Sequence, residues 1–467
     1  MDLTTAPEVN TGDYALAQRY APVLRFDAAE PFLATCAGYT VFRAPGPSPS
    51  FPRMISLEPP AVLAIEYALW WDWDIQHLYE LEHIWVFVDG TGTIFGVESS
   101  QHGSASGATW EWDAGRPVLY AEAGKHALTA SSAELTARRA GTEHSCGPRA
   151  GAGGVWVTPL YRGRIAKTPD ADQLVRTRLR RFAFTPRWDW SLRVDVAELP
   201  LMPWPLLDGA IPGIVATRVA ELDATIPRDR RHALHVGHRG ASGHAPENTL
   251  AAIRKAAELG AHMVELDVRV SADGVAVLAH DAAASPIGQA SVSINTLTAS
   301  ELQATAPSLD TAIPTLRDAL DLCALLGLGP YLELKEAAAI DSVVAELAQR
   351  DLGRYSIVGA FNPAWVARVT DRAPHLATAV LFAAFDIDPV ALARAAGARY
   401  VHPCWERHPA PHTLLTPSWL DRVRRAELGV VCWHEERPPV LAALLRLGVS
   451  GICTDRLDLL GEVAREV

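Results

Sequence analysis

VGHRGASGHAPENT, residues 236–249, is the stretch from which this fold is read. An apolar run (Ala233, Leu234, Val236) stops at Gly237-His238-Arg239-Gly240. Glycine on either side lets the backbone approach a ligand closely. His238 can exchange a proton near neutral pH, and Arg239 presents a planar fork that matches phosphate oxygens. After a turn, Pro246-Glu247-Asn248-Thr249 opens a helical pattern. A strand ending in polar groups and feeding a helix is one step of an alternating α/β plan.

Working outward, the same step recurs. Strands are expected at Ala233–Gly237, Met263–Val268, Tyr331–Lys335, Ser356–Phe361, Thr378–Phe382, Tyr400–Pro403, Val430–Trp433 and Gly451–Thr454. Helical patterns lie between them, at Leu250–Leu259, Leu316–Leu326, Ile340–Arg350, Pro363–Arg372, Pro389–Ala396, Pro417–Ala426 and Pro438–Leu447. Proline in the first turn of several of these is a start signal. The plan is a parallel (β/α)8 barrel, a TIM barrel of the α/β class. Val275–His280 is a further strand-like run. Only Ser271–Gly274 separates it from the second strand, too little for a parallel crossover, which takes about a dozen residues. It is expected to return antiparallel and bring His280 beside Asp267.

In such a barrel the C-terminal strand ends carry the chemistry. His238, Glu265, Asp267, Glu333 and Lys335 all fall there. Glu265 and Asp267 are two apart and share one strand face, as do Glu333 and Lys335. Glu265-Leu266-Asp267 and Leu332-Glu333-Leu334-Lys335 could each be simple ion pairs. Both at matching strand ends imply three converging carboxylates, which repel unless a cation intervenes. Oxygen ligands of this kind suit Mg2+ or Ca2+. A phosphodiester needs one proton donated to the leaving oxygen and one taken from the attacking group, and His238 and His280 can supply that pair.

The ordered set HRG, PENT, ELD, His280-Asp281, LELK and Thr454-Asp455 resembles glycerophosphodiester phosphodiesterases, over roughly the second half of the chain. The resemblance implies catalytic His238 and His280, with Glu265, Asp267 and Glu333 holding a divalent metal. It also implies phosphate binding by Arg239 and Lys335, support of the first histidine by Glu247 and Asn248, and a product pair of an alcohol and glycerol 3-phosphate. Two places depart from the family pattern. After Asp281 the chain reads AAASPIGQAS rather than a Pro, Leu and Arg-Thr-Thr stretch. The seventh strand ends Trp433-His434-Glu435-Glu436 rather than Trp-Thr-Val-Asn. Trp433 is retained and is expected to wall the substrate, simple packing being the competing explanation. Both changes bear on substrate preference more than on the phosphodiester chemistry.

Ten of the fourteen tryptophans lie before residue 228, in short runs broken by Gly, Pro and Ser. This half begins with a helix signal, Asp13 as N-cap. Strands follow at Ile84–Val88, Thr93–Val97, Val118–Ala121 and Val155–Thr158, the pattern of a β-sandwich. Arg187–Arg193 and Pro200–Pro205 are taken as its packing and edge segments, and Gly147–Gly154 as a mobile surface turn. Leu222–Arg231, polar with one proline, reads as the linker, giving domains 1–228 and 229–467. The stretch Trp70–His83 with Ser99–Gly103 and Gly124-Lys125-His126-Ala127 is similar to the β-sandwich of necrosis-inducing-type and vacuolar-sorting-like proteins. That resemblance implies a second divalent-metal site of Asp74, His77, Glu80 and Glu82, against the alternative of a charged rim turn.

The net charge of −12 and the scattered Arg pairs argue against nucleic acid as a partner. Six cysteines show no CxxC spacing, so neither a disulfide framework nor a zinc pattern is expected. No leader-like N-terminus and no apolar run of about 18 residues is present. The expectation is a soluble, cytoplasmic protein acting on a small-molecule phosphodiester. Two alternatives stay open: a phospholipase D-like or cyclising lipid phosphodiesterase on the same barrel, and a non-catalytic glycan- or lipid-binding protein with a relic barrel.

Overall fold

The computed structural model describes residues 10–467 except 102, 103, 108, 109, 285–291, 305, 307, 309 and 351, and at 104–107 and 284 the backbone alone. The first nine residues, His102-Gly103 and most of the segment after Asp281 therefore lie outside the described residues. The chain divides into two compact units. One runs to Ala166 and takes in Leu174–Thr225; the other is Lys167–Gln173 with Ile226–Val467.

In the second unit eight parallel strands close on themselves: β1 (Leu234–Gly237), β2 (Met263–Val270), β3 (Gly329–Leu334), β4 (Ile357–Ala360), β5 (Ala377–Phe382), β6 (Tyr400–Pro403), β7 (Gly429–Cys432) and β8 (Gly451–Thr454). Pairing of β1 with both β2 and β8 seals the barrel. Every expected core strand is present. The pleat sets the layers. Met263, Glu265 and Asp267 alternate with Val264, Leu266 and Val268 along β2. The latter three join an outer core shared with helices such as Leu316–Leu326 and Pro438–Arg446. The lumen is filled by Leu234, Val236, Met263, Tyr331, Leu381, Tyr400 and Val431. The inward faces of β2 and β3 are therefore apolar at depth and acidic only toward their C-terminal ends. Ala276–Leu278 returns antiparallel on β2, with Leu278 opposite Val268. A further helix, Leu457–Glu466, follows β8 and buries Leu457, Leu460 and Val463.

The first unit is a β-sandwich. One sheet orders Leu201–Pro203, Cys36–Phe42, Ala61–Trp73, His77–Asp89, Ile94–Gln101 and Ser104–Gly107, with Gly154–Val155 pairing beside His77–Asp89. The other contains Leu128–Thr129, Arg116–Ala121, Val23–Phe26 and Leu192–Asp195, with Glu111–Asp113 against Arg116–Ala121. Leu24, Phe26, Leu119 and Ala121 of one pack with Ile65, Tyr67, Leu69 and Trp71 of the other in a single core.

Four expectations in this half are corrected. Asn10, not Asp13, caps the first helix, Thr11–Arg19, because its side chain accepts from Gly12 and Asp13 N–H. Gly147–Gly154 is not a loose surface turn. Ala150, Gly151 and Gly154 are buried, and Gly151 and Gly153 N–H bond Ile75 and Gln76 carbonyls. The strand at 155 is only Gly154–Val155. The linker is half helical: Trp204–Thr225 runs through Leu222, with Pro212 inside it. Trp204, Leu207, Ile211, Val215 and Leu222 form its buried face. Burial at that spacing outweighs the local breakers.

Candidate active site

The HRG turn is built by close packing. Gly237 and Gly240 leave no room for a Cβ: one at 237 would lie 2.6 Å from the Gly240 carbonyl oxygen, one at 240 2.6 Å from the Ala252 methyl. Gly240 also has φ +85°. This tightness sets His238 and Arg239 against the end of β2. Gly240 N–H bonds the Glu265 carbonyl (3.2 Å), and Arg239 N–H bonds the Glu265 carboxylate (3.0 Å).

His238 is buried. Its Nδ1 meets Asp455 Oδ1 at 2.7 Å, and Asp455 accepts a second bond from Ser242 Oγ at 2.6 Å. A carboxylate there fixes the proton on Nδ1 and leaves Nε2 as the acceptor nitrogen. Among the described residues Nε2 is buried without a hydrogen-bond partner, 4.0 Å from Glu265 Oε2. Burial lowers the His238 pKa, against the opposing pull of Asp455. Burial alone would raise Asp455, but the bonds from His238 and Ser242 bring it down to about 2.

Glu265, Asp267 and Glu333 are each at most 2% exposed, and one oxygen of each lies within 4.8 Å of the others. Pairing of β2 with β3 sets Asp267 directly opposite Glu333. Burial and then mutual repulsion push Glu265 well up. Glu333 rises to about 7, driven by burial and by Asp267 against the relief given by Lys335. Lys335 Nζ bridges Asp267 (3.0 Å) and Glu333 (2.7 Å). Arg239 lies 3.4 Å from Asp267 and 2.7 Å from Glu247. Glu265 Oε1 and Glu333 Oε2 are buried without hydrogen-bond partners among the described residues. All-oxygen donors with unsatisfied buried atoms fit a hard divalent cation.

Two expected roles shift. Glu247 and Asn248 do not support His238. Glu247 bonds Arg239, while the Asn248 side chain donates to Asp267 (2.8 Å) and accepts from its N–H (3.1 Å). The tight turn, with Asn248 at φ +56°, aims that amide at β2 instead. His280 returns to the β2 end as expected, with Ala279 N–H on the Asp267 carbonyl at 3.0 Å. Its ring, however, is part exposed and pairs with Asp281 (2.8 Å). Trp433 sets its indole edge-on to His238, centroids 5.4 Å apart.

Two residues of the mouth had no assigned role in the sequence. Asp455 was visible only as a motif. His434, visible only as a departure, stacks on His238 at 4.6 Å and 13° and bonds Glu436 at 2.8 Å. Among the described residues, His238, His434 and Asp455 form a further group of potential ligands.

In the sandwich unit, Asp74, His77 and Glu80 also converge, with ligand atoms within 4.8 Å of one another. Asp74 Oδ2 is buried without a hydrogen-bond partner among the described residues. Burial first, with His77 opposing and Glu82 and Asp74 adding, raises Glu80 to about 7. Glu82 stands apart from the three: it accepts a bond from Ser100. His126 of the Gly-x-His-Ala motif is wholly buried, stacked on Trp71 at 4.8 Å and paired with Glu30 at 3.3 Å.

A (β/α)8 barrel with a buried histidine, buried carboxylates and two cations at its C-terminal mouth defines a phosphoric diester hydrolase. Residues 238–459 match the glycerophosphoryl diester phosphodiesterase family, and the chain belongs to that family. It is 30% identical to the Mycobacterium tuberculosis protein named "Probable glycerophosphodiester phosphodiesterase 2", over 49% of this chain and 89% of that one. Identity to the glycerophosphodiester phosphodiesterase of Caldanaerobacter subterraneus subsp. tengcongensis is 25%, over 50% and 98%. Glycerophosphodiester phosphodiesterase 1 of Rattus norvegicus is 35% identical over 33% of this chain and 50% of its own length. Among solved structures, an Oleispira antarctica phosphodiesterase in complex with sn-glycerol-3-phosphate aligns with TM-score 0.45 and 22% identity, over 50% and 98%.

Proposed function

We propose that the barrel hydrolyses glycerophosphodiesters to an alcohol and a phosphomonoester such as glycerol 3-phosphate. One observation carries this reading: the unpartnered Nε2 of His238 stands 4.0 Å from the buried carboxylate cluster. Neutral His238, its Nδ1–H held by Asp455, accepts a proton at Nε2. His280, held by Asp281 on the hairpin, is the second acid/base group. Arg239 and Lys335 offset charge on the phosphoryl oxygens. Glu265, Asp267 and Glu333 would hold Mg2+ or Ca2+, which when bound supplies further charge stabilisation at those oxygens. In this reading residues 229–467 form the catalytic domain.

Residues 1–228 form a domain with a second divalent-ion site at Asp74, His77 and Glu80, with Glu82 as a flanking charge. The buried, unpartnered Asp74 Oδ2 and the likeness to necrosis-inducing-type sandwiches support it. Six free cysteines, five of them buried, suit a reducing compartment and hence the cytoplasm. No helix among the described residues is long and apolar enough to cross a membrane.

The test is turnover of glycerophosphocholine with added Mg2+ or Ca2+. Release of glycerol 3-phosphate that stops in His238→Ala while the metal stays bound supports the reading. Full activity in that variant removes it.

A further inference from the structure

A third imidazole stands at the barrel mouth. His434, just past β7, lies flat against His238, with ring centroids 4.6 Å apart and planes 13° apart. His434 and Glu436 are two of the residues by which this strand end departs from Trp-Thr-Val-Asn, and they work as a pair. Nδ1 of His434 bonds Glu436 Oε1 at 2.8 Å. That carboxylate is itself fixed, because the Asp455 N–H donates to the same oxygen at 3.1 Å. The Asp455 side chain holds Nδ1 of His238 at 2.7 Å and stands 3.9 Å from Nδ1 of His434.

The two rings are therefore anchored alike. Each sets its Nδ1 edge on carboxylates of the β7 and β8 loops and turns its Nε2 edge away from them. For His238 that edge faces the carboxylate cluster, 4.0 Å from Glu265. With the planes nearly parallel, the Nε2 edge of His434 lies on the same side. The rings differ in charge. Stacked this closely, two imidazolium ions would repel, so the pair favours a single excess proton. His434 is the ring that keeps it. Burial would lower its pKa, but the bond and charge of Glu436, with the charges of Asp455 and Glu406, raise it. His238, its Nδ1–H on Asp455, keeps Nε2 as an acceptor. Neighbouring groups set apart in this way are an acid and a base. The spacing suits the reaction as well. In two-metal sites, groups about 4 Å apart hold both the entering and the leaving oxygen of an in-line displacement. Two imidazoles at 4.6 Å can reach the same two oxygens.

We propose, resting on the diesterase reading above, that His434 is a further catalytic residue: the acid that protonates the departing alkoxide. Water oxygen bonds phosphorus, and a water proton passes to Nε2 of His238. The P–O ester bond breaks, its electron pair stays on the alkoxide oxygen, and that oxygen takes the proton from Nε2 of His434. The excess proton has then moved from one ring to the other, and the charge of the stack is the same before and after. His280, part exposed on the hairpin, shares the second acid/base role instead of filling it alone.

The test compares two esters of glycerol 3-phosphate, glycerophosphocholine and the 4-nitrophenyl ester. Nitrophenolate departs without a proton, whereas the choline alkoxide needs one. Wild type, His434→Phe and Glu436→Gln are measured with Mg2+ or Ca2+ present, and folding is checked by thermal melts. His434→Phe keeps a flat ring on His238 and has no proton to give. Its kcat/KM for glycerophosphocholine is expected to fall about 100-fold or more, and that for the nitrophenyl ester by less than about fivefold. Glu436→Gln still accepts a bond from Nδ1 but lacks the charge that keeps the proton on His434, and it gives a smaller split of the same sign. Should His434→Phe melt early, the sign of the Glu436→Gln split decides. Equal losses on the two esters, or no loss on glycerophosphocholine, overturn the proposal and leave the diesterase reading standing. Turnover of neither ester by wild type overturns both.

Discussion

Among the described residues the barrel and the sandwich each bring three potential ligands together, and their surroundings differ. In the barrel, Glu265, Asp267 and Glu333 sit with Lys335, Arg239 and the unpartnered nitrogen of His238. In the sandwich, Asp74, His77 and Glu80 gather one imidazole as a ligand candidate, and Lys125 bonds the neighbouring Gln76. The first has groups to move protons and hold an anion. The second gathers two carboxylates and one imidazole. Converging carboxylates alone fit a cation; a base and counter-charges beside them are what proton transfer on an anionic substrate requires.

The sharpest way to break this contrast is to remove the base. His238→Ala is expected to lower kcat/KM by about 10³, within the range for a positioned acid/base group. Glu265→Gln should lower activity through lost metal, seen as a lower ion content. In the sandwich, Asp74→Asn should lower the bound ion count from two per chain to one. If elemental analysis finds one ion in wild type and none in Glu265→Gln, the sandwich cluster holds nothing.

Much of the barrel was legible because its signals are local. Glu265 and Asp267 share a face by period two, and Gly237 and Gly240 flank His238 within one turn. The partner of His238 was not legible in that way. Asp455 is 217 positions away and meets it only because β8 closes on β1. The long helix Trp204–Thr225 was hidden for the opposite reason: Pro205, Gly209, Pro212 and Gly213 read as breakers, and only tertiary burial of Leu207, Ile211 and Val215 holds it. In the sandwich, Glu80 and Glu82 alternate along their strand, yet the Ser100 hydroxyl on a neighbouring strand donates to Glu82, which stands outside the group of Asp74, His77 and Glu80.

Asp455→Asn tests that closing contact. The amide can present its NH2 to Nδ1 and favour the wrong tautomer of His238. The expected loss is about 10- to 100-fold in kcat with little change in KM, a second-sphere effect of the usual size.

A smaller effect compares the clusters by pH. Glu333 and Glu80 both stand near 7, each raised first by burial. A carboxyl whose folded pKa lies above its unfolded value binds more protons when folded. Stability then falls as pH rises from the unfolded value, about 4.4, to the folded one. With metal chelated, the melting temperature should fall by several degrees between pH 5 and 7, and saturating Mg2+ or Ca2+ should flatten the slope. Glu333→Gln and Glu80→Gln divide the slope between the units. A slope unchanged in Glu80→Gln shows the sandwich carboxyl to be solvated.

The smallest expected effect lies at Ser242. Its hydroxyl gives Asp455 a second bond at 2.6 Å, on the same oxygen that holds His238. Ser242→Ala leaves the Asp455–His238 pair in place and removes only that restraint. Loss of one such bond is worth about two- to tenfold, and it should appear in kcat rather than KM because nothing touching the phosphate has moved. With Asp455 less restrained, the imidazole is held less firmly in its tautomer. Ser242→Thr, which keeps the hydroxyl, should recover most of the rate. An effect of Ser242→Ala as large as that of Asp455→Asn would mean that the serine, not the carboxylate, orients His238.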